Sequence, residues 1–200
     1  PEQEAPDHRL PSVYGMVGKW FLIEDLEITG AASRGIYNVS CNIIVRNCYM
    51  HDNHNGYMGG WHNARDAERG DAIFEYNEFN RCGEGVFAHP MYMEGYFAEV
   101  RYTWIHDSTG GTSYKDRSRD SVLEYNYISG GGEYGYRAFQ FCGFDDKSVP
   151  TDTDQYAMVI GNIITQSGGG NPWLFMANER TEGGSAKNNG YMTMVNNSCY

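Results

Sequence analysis

The chain has 200 residues, enough for one domain with a sizeable core, and a formal net charge of −11. Hydrophobic residues at 40% and aromatics at 14% exclude a disordered chain, while 25 glycines and only 20% charged residues point to many short strands broken by turns. The acidic balance speaks against nucleic acid as a partner, because backbone binding needs a broad positive surface, and no apolar run approaches the roughly 20 residues of a membrane helix.

The chain opens at Pro1 without a basic-then-apolar leader, so residues 1–16 read as an N-terminal extension of a processed, secreted or cell-surface product. Residues 17–200 read as one domain. Its first segment, "WFLIEDLEI" from Trp20 to Ile28, has the length of buried strand. From there a short pattern recurs: apolar, two variable residues, Asn, one variable residue, apolar, then a Gly or small polar turn. "IVRNCYM" holds Asn47, "FEYNEF" Asn77, "LEYNYI" Asn126, "VIGNII" Asn162 and "MVNNSC" Asn197, with Asp25 and Thr103 as variants in "IEDLEI" and "VRYTWI". Successive copies lie 22, 30, 26, 23, 36 and 35 residues apart, a minimal unit with insertions, as in solenoid repeats.

A unit of this length, with period-two strands and no helical period, predicts an all-β parallel β-helix of about seven coils. Stacking sets equivalent residues about 4.8 Å apart, so a recurring Asn predicts an inward amide ladder at one turn. Ile44, Phe74, Val100, Leu123 and Val159 are expected in the core beneath it. An ordinary sandwich would not space its strands so regularly. The five cysteines, Cys41, Cys48, Cys82, Cys142 and Cys199, cannot all pair within one chain and lack zinc-site spacing, so they read as small buried hydrophobes.

"FLIEDLEITGA", "IIVRNCYMHDNHNG", "HPMYM", "YKDRS" and "MVIGNIITQ" resemble, in this order, segments of the right-handed parallel β-helix repeat proteins, over about Val17 to Tyr200. That resemblance implies a pectate lyase-like, right-handed solenoid. The better characterised relatives by fold are polysaccharide lyases of the chondroitinase B and alginate lyase group, which use a lysine and an arginine from neighbouring coils; Lys115 and Arg137 are similar to that pair.

The residues themselves supply the same region. His89, Lys115 and Arg137 follow Asn77, Thr103 and Asn126 by 12, 12 and 11 residues, which predicts one column on adjacent coils of one sheet. Tyr92, Glu94, Tyr114, Arg117, Tyr136 and Trp173 are expected around it as substrate contacts, with Trp173 as a stacking platform. Stacked cations repel one another, and an anionic guest relieves that repulsion. For a uronate glycan the chemistry is β-elimination: Lys115 as base, Arg137 as carboxylate clamp or proton-donor partner, and His89 or Tyr92 protonating the leaving oxygen.

The expected partner is therefore an acidic polysaccharide. The lyase group also places carboxylates and an Asn around calcium just before its lysine. Here "IHDSTGGTSY" offers only Asp107, so neither calcium nor another cofactor is implied. Alternatives remain. Lys115, Arg117 and Arg119 also fit a solvated turn paired with Asp116 and Asp120. Asp145, Asp146, Asp152 and Asp154 fit a solvated loop or a calcium loop, and Glu94, Asp145 or Glu179 could serve a glycoside hydrolase. His51, His54 and His62 with Asp52 and Asp66 lack metal-motif spacing and read as turn chemistry. The chain stops within a ladder unit, so either the domain continues past Tyr200 or another subunit docks there, and a non-catalytic glycan-binding or adhesive protein with end-to-end self-association into filaments is the other reading.

Overall fold

The structure is a computed structural model that describes residues 13–14, 20–38, 42–59, 70–130, 137–143, 154–167, 174–177, 179–181, 184–186 and 190–200. Its regular elements are all strands, and among the described residues there is no helix able to cross a membrane. Three parallel sheets hold seven strands each. Sheet 1 includes Arg34–Asn38, Asn55–Gly59, Met91–Met93, Tyr114–Asp116 and Phe139–Cys142; sheet 2 includes Asn42–Arg46, Ala72–Glu75, Phe97–Arg101, Asp120–Glu124 and Tyr156–Ile160; sheet 3 includes Tyr49–His51, Glu78–Asn80, Trp104–His106, Tyr127–Gly130 and Ile163–Gln166. Consecutive strands go to different sheets, and each strand pairs with its counterpart one repeat away, the arrangement of a parallel β-solenoid. Val13–Tyr14, within the segment read as an extension, pairs with Ile36–Tyr37 in sheet 1. The antiparallel pair among the described residues is a small ribbon, Glu179–Thr181 with Gly184–Ala186.

Period-two alternation fixes the core. In sheet 2 Val45, Phe74, Val100, Leu123 and Val159 are in register and fully buried, and Met50, Phe79, Ile105, Ile128 and Ile164 form the matching column in sheet 3. Ile44, expected inside, pairs with Ile73 on the outer side, and Val45 takes the core place.

The amide ladder exists at the turn between sheets 2 and 3, shifted by one residue in its first members. The Asn126 Nδ2 donates to Val100 O at 2.8 Å and to Asn162 Oδ1 at 2.9 Å, and its Oδ1 accepts from Thr103 N at 2.9 Å. Asn162 and Asn197 repeat that geometry, and Asn77 Oδ1 accepts from Cys48 N at 3.0 Å. Asn47 and Asp25 are not in the ladder: Cys48 and Leu26 hold its positions, seen in the equivalent bonds Glu78 N to Cys48 O and Tyr49 N to Leu26 O. Asn47 and Asp25 sit one residue earlier, at φ 49° and 56°, hydrogen-bonded to each other at 2.5 Å. The physical reason is that both turn positions favour Asn, one for its amide and the other for its tolerance of left-handed backbone.

That left-handed position is occupied in sequence order by Asp25, Asn47, Tyr76, Tyr102, Tyr125, Gly161 and Asn196. Asp, Asn and Gly adopt it cheaply, whereas a bulky residue gives up about 1–2 kcal/mol. Three successive tyrosines accept that cost. Their rings stack, Tyr76 on Tyr102 at 5.0 Å and Tyr102 on Tyr125 at 5.7 Å, which offsets part of it. At Gly161 a Cβ would fall 2.5 Å from the Tyr125 ring, so the glycine keeps room for the last member.

Charges on sheet 2 alternate along the stack. Glu75 lies between Arg46, whose Nε donates to it at 2.9 Å, and Arg101, whose Nε donates at 2.7 Å. Burial alone would raise the Glu75 carboxyl, but the bonds from Arg101 and Arg46 overcome it and hold the group below the usual carboxylate value.

Candidate functional site

Sheet 1 carries the predicted site residues. Tyr92, Lys115 and Gln140 occupy paired positions on adjacent strands and point away from the solenoid core; Lys115 is the half-buried member, while Tyr92 and Gln140 are buried. The Lys115 Nζ lies 5.2 Å from the centre of the Tyr92 ring. The Arg117 Nε donates to Tyr92 Oη at 2.8 Å, and a second guanidinium nitrogen donates to Gly143 O. Arg117 and Glu94, both buried, form an ion pair at 3.6 Å. His89 tilts against the same tyrosine with ring centres 5.4 Å apart. His89, Lys115 and Arg117 thus meet around the Tyr92 phenol, with Glu94 behind Arg117.

The column expected from counting does not form. His89 aligns with Thr112, whose N–H donates to His89 Nδ1 at 2.9 Å. Arg137 aligns with Thr112 from the other side, since Ser113 N donates to Arg137 O at 3.0 Å. Lys115 therefore neighbours Tyr92 and Gln140 instead. The cause is variable turn length: Met91, Tyr114 and Phe139, which pair across the sheet, follow Asn77, Thr103 and Asn126 by 14, 11 and 13 residues. Gln140, which counting missed, accepts from Thr112 Oγ1 at 3.1 Å. Tyr136 and Trp173 lie outside the described residues, as do Asp145, Asp146, Asp152, His62 and Asp66.

Tyr114 points into the core, not toward a ligand. Its hydroxyl donates to Asp116 Oδ2 at 2.7 Å, and Ser121 Oγ and Ser118 N donate to the same carboxyl at 2.6 and 2.7 Å. Burial raises the Asp116 pKa although those three groups pull the other way, and burial with the adjacent Asp116 raises the Tyr114 phenol well above its ordinary value. Asp116 is therefore an anchor beneath the strand that presents Lys115.

The histidine-rich stretch is used structurally. His51 Nδ1 meets Asp52 at 2.6 Å and Nε2 meets Glu27 at 2.8 Å; His106 repeats the pattern with Asp107 at 2.8 Å and Glu78 at 3.1 Å. Arg81 grips Asp52 with two bonds of 2.7 Å. An open cleft of about 590 Å³ beside it is lined by Gly30, Asp52, His54, Arg81, Glu84 and Thr109. No group of three or more metal-ligating side chains occurs among the described residues. No protein-family model, curated protein or solved structure matches the chain.

Proposed function

We propose that the chain is a secreted right-handed parallel β-helix of about seven coils, of the pectate lyase-like kind, that cleaves an acidic, uronate-containing glycan by β-elimination on the outer face of sheet 1. The observation that carries the reading is the Arg117 Nε bond to Tyr92 Oη at 2.8 Å with the Lys115 ammonium 5.2 Å from the same ring. A guanidinium N–H donated to the phenol oxygen stabilises negative charge on that oxygen, which suits Tyr92 as a base. Lys115, the outward member, neutralises the uronate carboxylate and so acidifies the C5 proton. The Tyr92 phenolate takes that proton, the electron pair forms the C4–C5 double bond, the C4–O4 bond breaks, and the phenol returns the proton to the departing O4.

The test is incubation with alginate, pectate and glycosaminoglycans, following ultraviolet absorbance of the new unsaturated ends. Tyr92→Phe should abolish turnover and Lys115→Ala should reduce it by about 10²–10³-fold. Silence on every acidic glycan, or reducing ends without unsaturation, overturns the reading, the latter in favour of a hydrolase. Glycan binding without cleavage would favour the adhesive alternative.

A further inference from the structure

We propose a second glycan site, on the edge where sheets 2 and 3 meet, that binds a neutral polysaccharide strand lying along the solenoid axis. It does not rest on the reading of sheet 1. The site is the array Tyr76, Tyr102 and Tyr125 together with Trp104 and Tyr127, which stand two residues after Tyr102 and Tyr125 on the outer face of sheet 3.

The first argument is conformational. The same turn carries Asp25, Asn47, Gly161 and Asn196 elsewhere in the chain, all residues that suit positive φ. Tyrosine in three consecutive repeats runs against that preference, and strain of this kind is kept where a side chain has work to do at the surface. These side chains are at the surface: Tyr76, Tyr102 and Tyr125 are 57%, 45% and 54% exposed. Their stacking turns ring edges and hydroxyls outward, one per repeat.

The second argument is the neighbouring platform. Trp104 and Tyr127 are 47% and 38% exposed and meet edge to face at 6.2 Å. The His106 imidazole covers one face of the indole at 3.8 Å, and His106 is itself fixed by Asp107 and Glu78. A half-exposed indole held by His106 on one face and flanked by Tyr127 is a rigid aromatic surface on which a sugar can rest.

Charge and spacing select the occupant. Arg46 and Arg101, the cations flanking the array, are engaged by Glu75, and Arg81 by Asp52, so the edge does not offer a uronate the pairing that sheet 1 offers through Lys115. A linear array with one aromatic per repeat, its ring centres 5.0 and 5.7 Å apart, advances by about one hexopyranose per repeat and matches a linear polymer rather than a folded partner. Hydroxyl-bearing edges beside an aromatic face suit a neutral sugar, which needs both hydrogen bonds and apolar stacking.

The experiment uses the intact chain with cellohexaose, xylohexaose and mannohexaose, and a hexauronate in parallel, by calorimetric titration and tryptophan fluorescence. At least one neutral hexasaccharide should bind; Trp104→Ala should weaken it about tenfold or more and Tyr102→Asn about threefold to tenfold. Tyr102→Asn installs the residue that the same turn already carries at Asn47 and Asn196, so it should fold, which its thermal midpoint checks. Lys115→Ala should leave this binding unchanged whether or not sheet 1 proves catalytic. The proposal is overturned if no neutral hexasaccharide binds, if only the hexauronate binds, if binding survives both substitutions, or if the wild-type chain self-associates in a manner that Trp104→Ala abolishes.

Discussion

Replacing Asn126 by alanine tests the amide ladder where the structure makes it most continuous. The substitution removes the Nδ2 bonds to Val100 O and Asn162 Oδ1 and the acceptor for Thr103 N–H. Asn162 Oδ1 keeps the Asn126 backbone N–H at 2.8 Å and Val100 stays in the strand ladder opposite Leu123, so the backbone group left without its acceptor is Thr103 N–H, in a buried turn. At about 1–3 kcal/mol for the orphaned N–H and about 0.5–1.5 kcal/mol net for each of the two lost Nδ2 bonds, the loss is about 2–6 kcal/mol, a large part of the stability of an ordinary domain. Asn47→Ala is the matched control. It loses one exposed bond to Asp25 and places alanine at positive φ, about 1–2 kcal/mol, and Asn47→Gly should be close to neutral. Asn126→Thr should fall between, because Thr103 already fills a ladder position with its hydroxyl, accepting from Asn77 N at 3.4 Å and donating to Arg101 O at 3.1 Å. Urea unfolding followed by both circular dichroism and tryptophan fluorescence gives the differences, with m-values compared across variants. If Asn126→Ala costs no more than Asn47→Ala, the ladder is decoration and the argument fails.

His51 is held above the ordinary imidazole value by Asp52 first and Glu27 second, so its contribution to stability is complete below about pH 6.5 and is lost as pH rises through the raised folded-state value; the thermal midpoint of the wild type should fall across that window more than that of His51→Gln. Glu75 is held low by Arg101 and Arg46, so Glu75→Gln should cost about 1–2 kcal/mol at pH 7, and the two proteins should converge as acid protonates the wild-type carboxylate, measured by urea midpoints from pH 7 to pH 3. Among the described cysteines Cys199 is exposed while Cys48, Cys82 and Cys142 are buried, and burial pushes the Cys82 thiol up to about 11; alkylation at pH 8 with mass mapping should label Cys199 well before those three.

The repeat, the parallel pairing and most of the core were readable because buried columns repeat the same residue types in register, as Phe74, Val100, Leu123 and Val159 do. Register in the first repeats was not readable from Asn alone. At "NC" and "NN" two adjacent turn positions both accept Asn, and only the alternation of buried Val45 and Met50 around Cys48 separates them. The meeting of His89, Tyr92, Lys115 and Arg117 was partly legible, since those residues share short segments of two repeats. Lys115 was misplaced relative to His89 and Arg137, which both align with Thr112, because turns do not keep constant length. The burial of Arg117 left no mark on the sequence at all, a charged residue in a run of charges reading as solvent-facing.

Lys115, Arg117 and Arg119 lie within five residues, and the fold resolves their mutual repulsion by sending each to a different place. Lys115, at the outward step of a strand, projects beside Tyr92. Arg117, just past the strand end, turns inward to Tyr92 Oη, Gly143 O and Glu94. Arg119 lies on the surface over the Tyr96 ring at 4.9 Å, with a bond of 2.6 Å to its hydroxyl. Each cation is thus received by a tyrosine of the preceding repeat, 23 to 25 residues earlier, so the aromatic and cationic residues of neighbouring repeats must be read together. The buried arginine is satisfied by the protein's own groups. An anionic guest on this face would meet the half-buried lysine, with the arginine acting on it through the Tyr92 phenol. That division makes Lys115 and Arg117 separable by substitution: Lys115→Ala should alter ligand affinity at nearly unchanged stability, and Arg117→Ala should remove the buried guanidinium paired with Glu94 and cost about 3–5 kcal/mol.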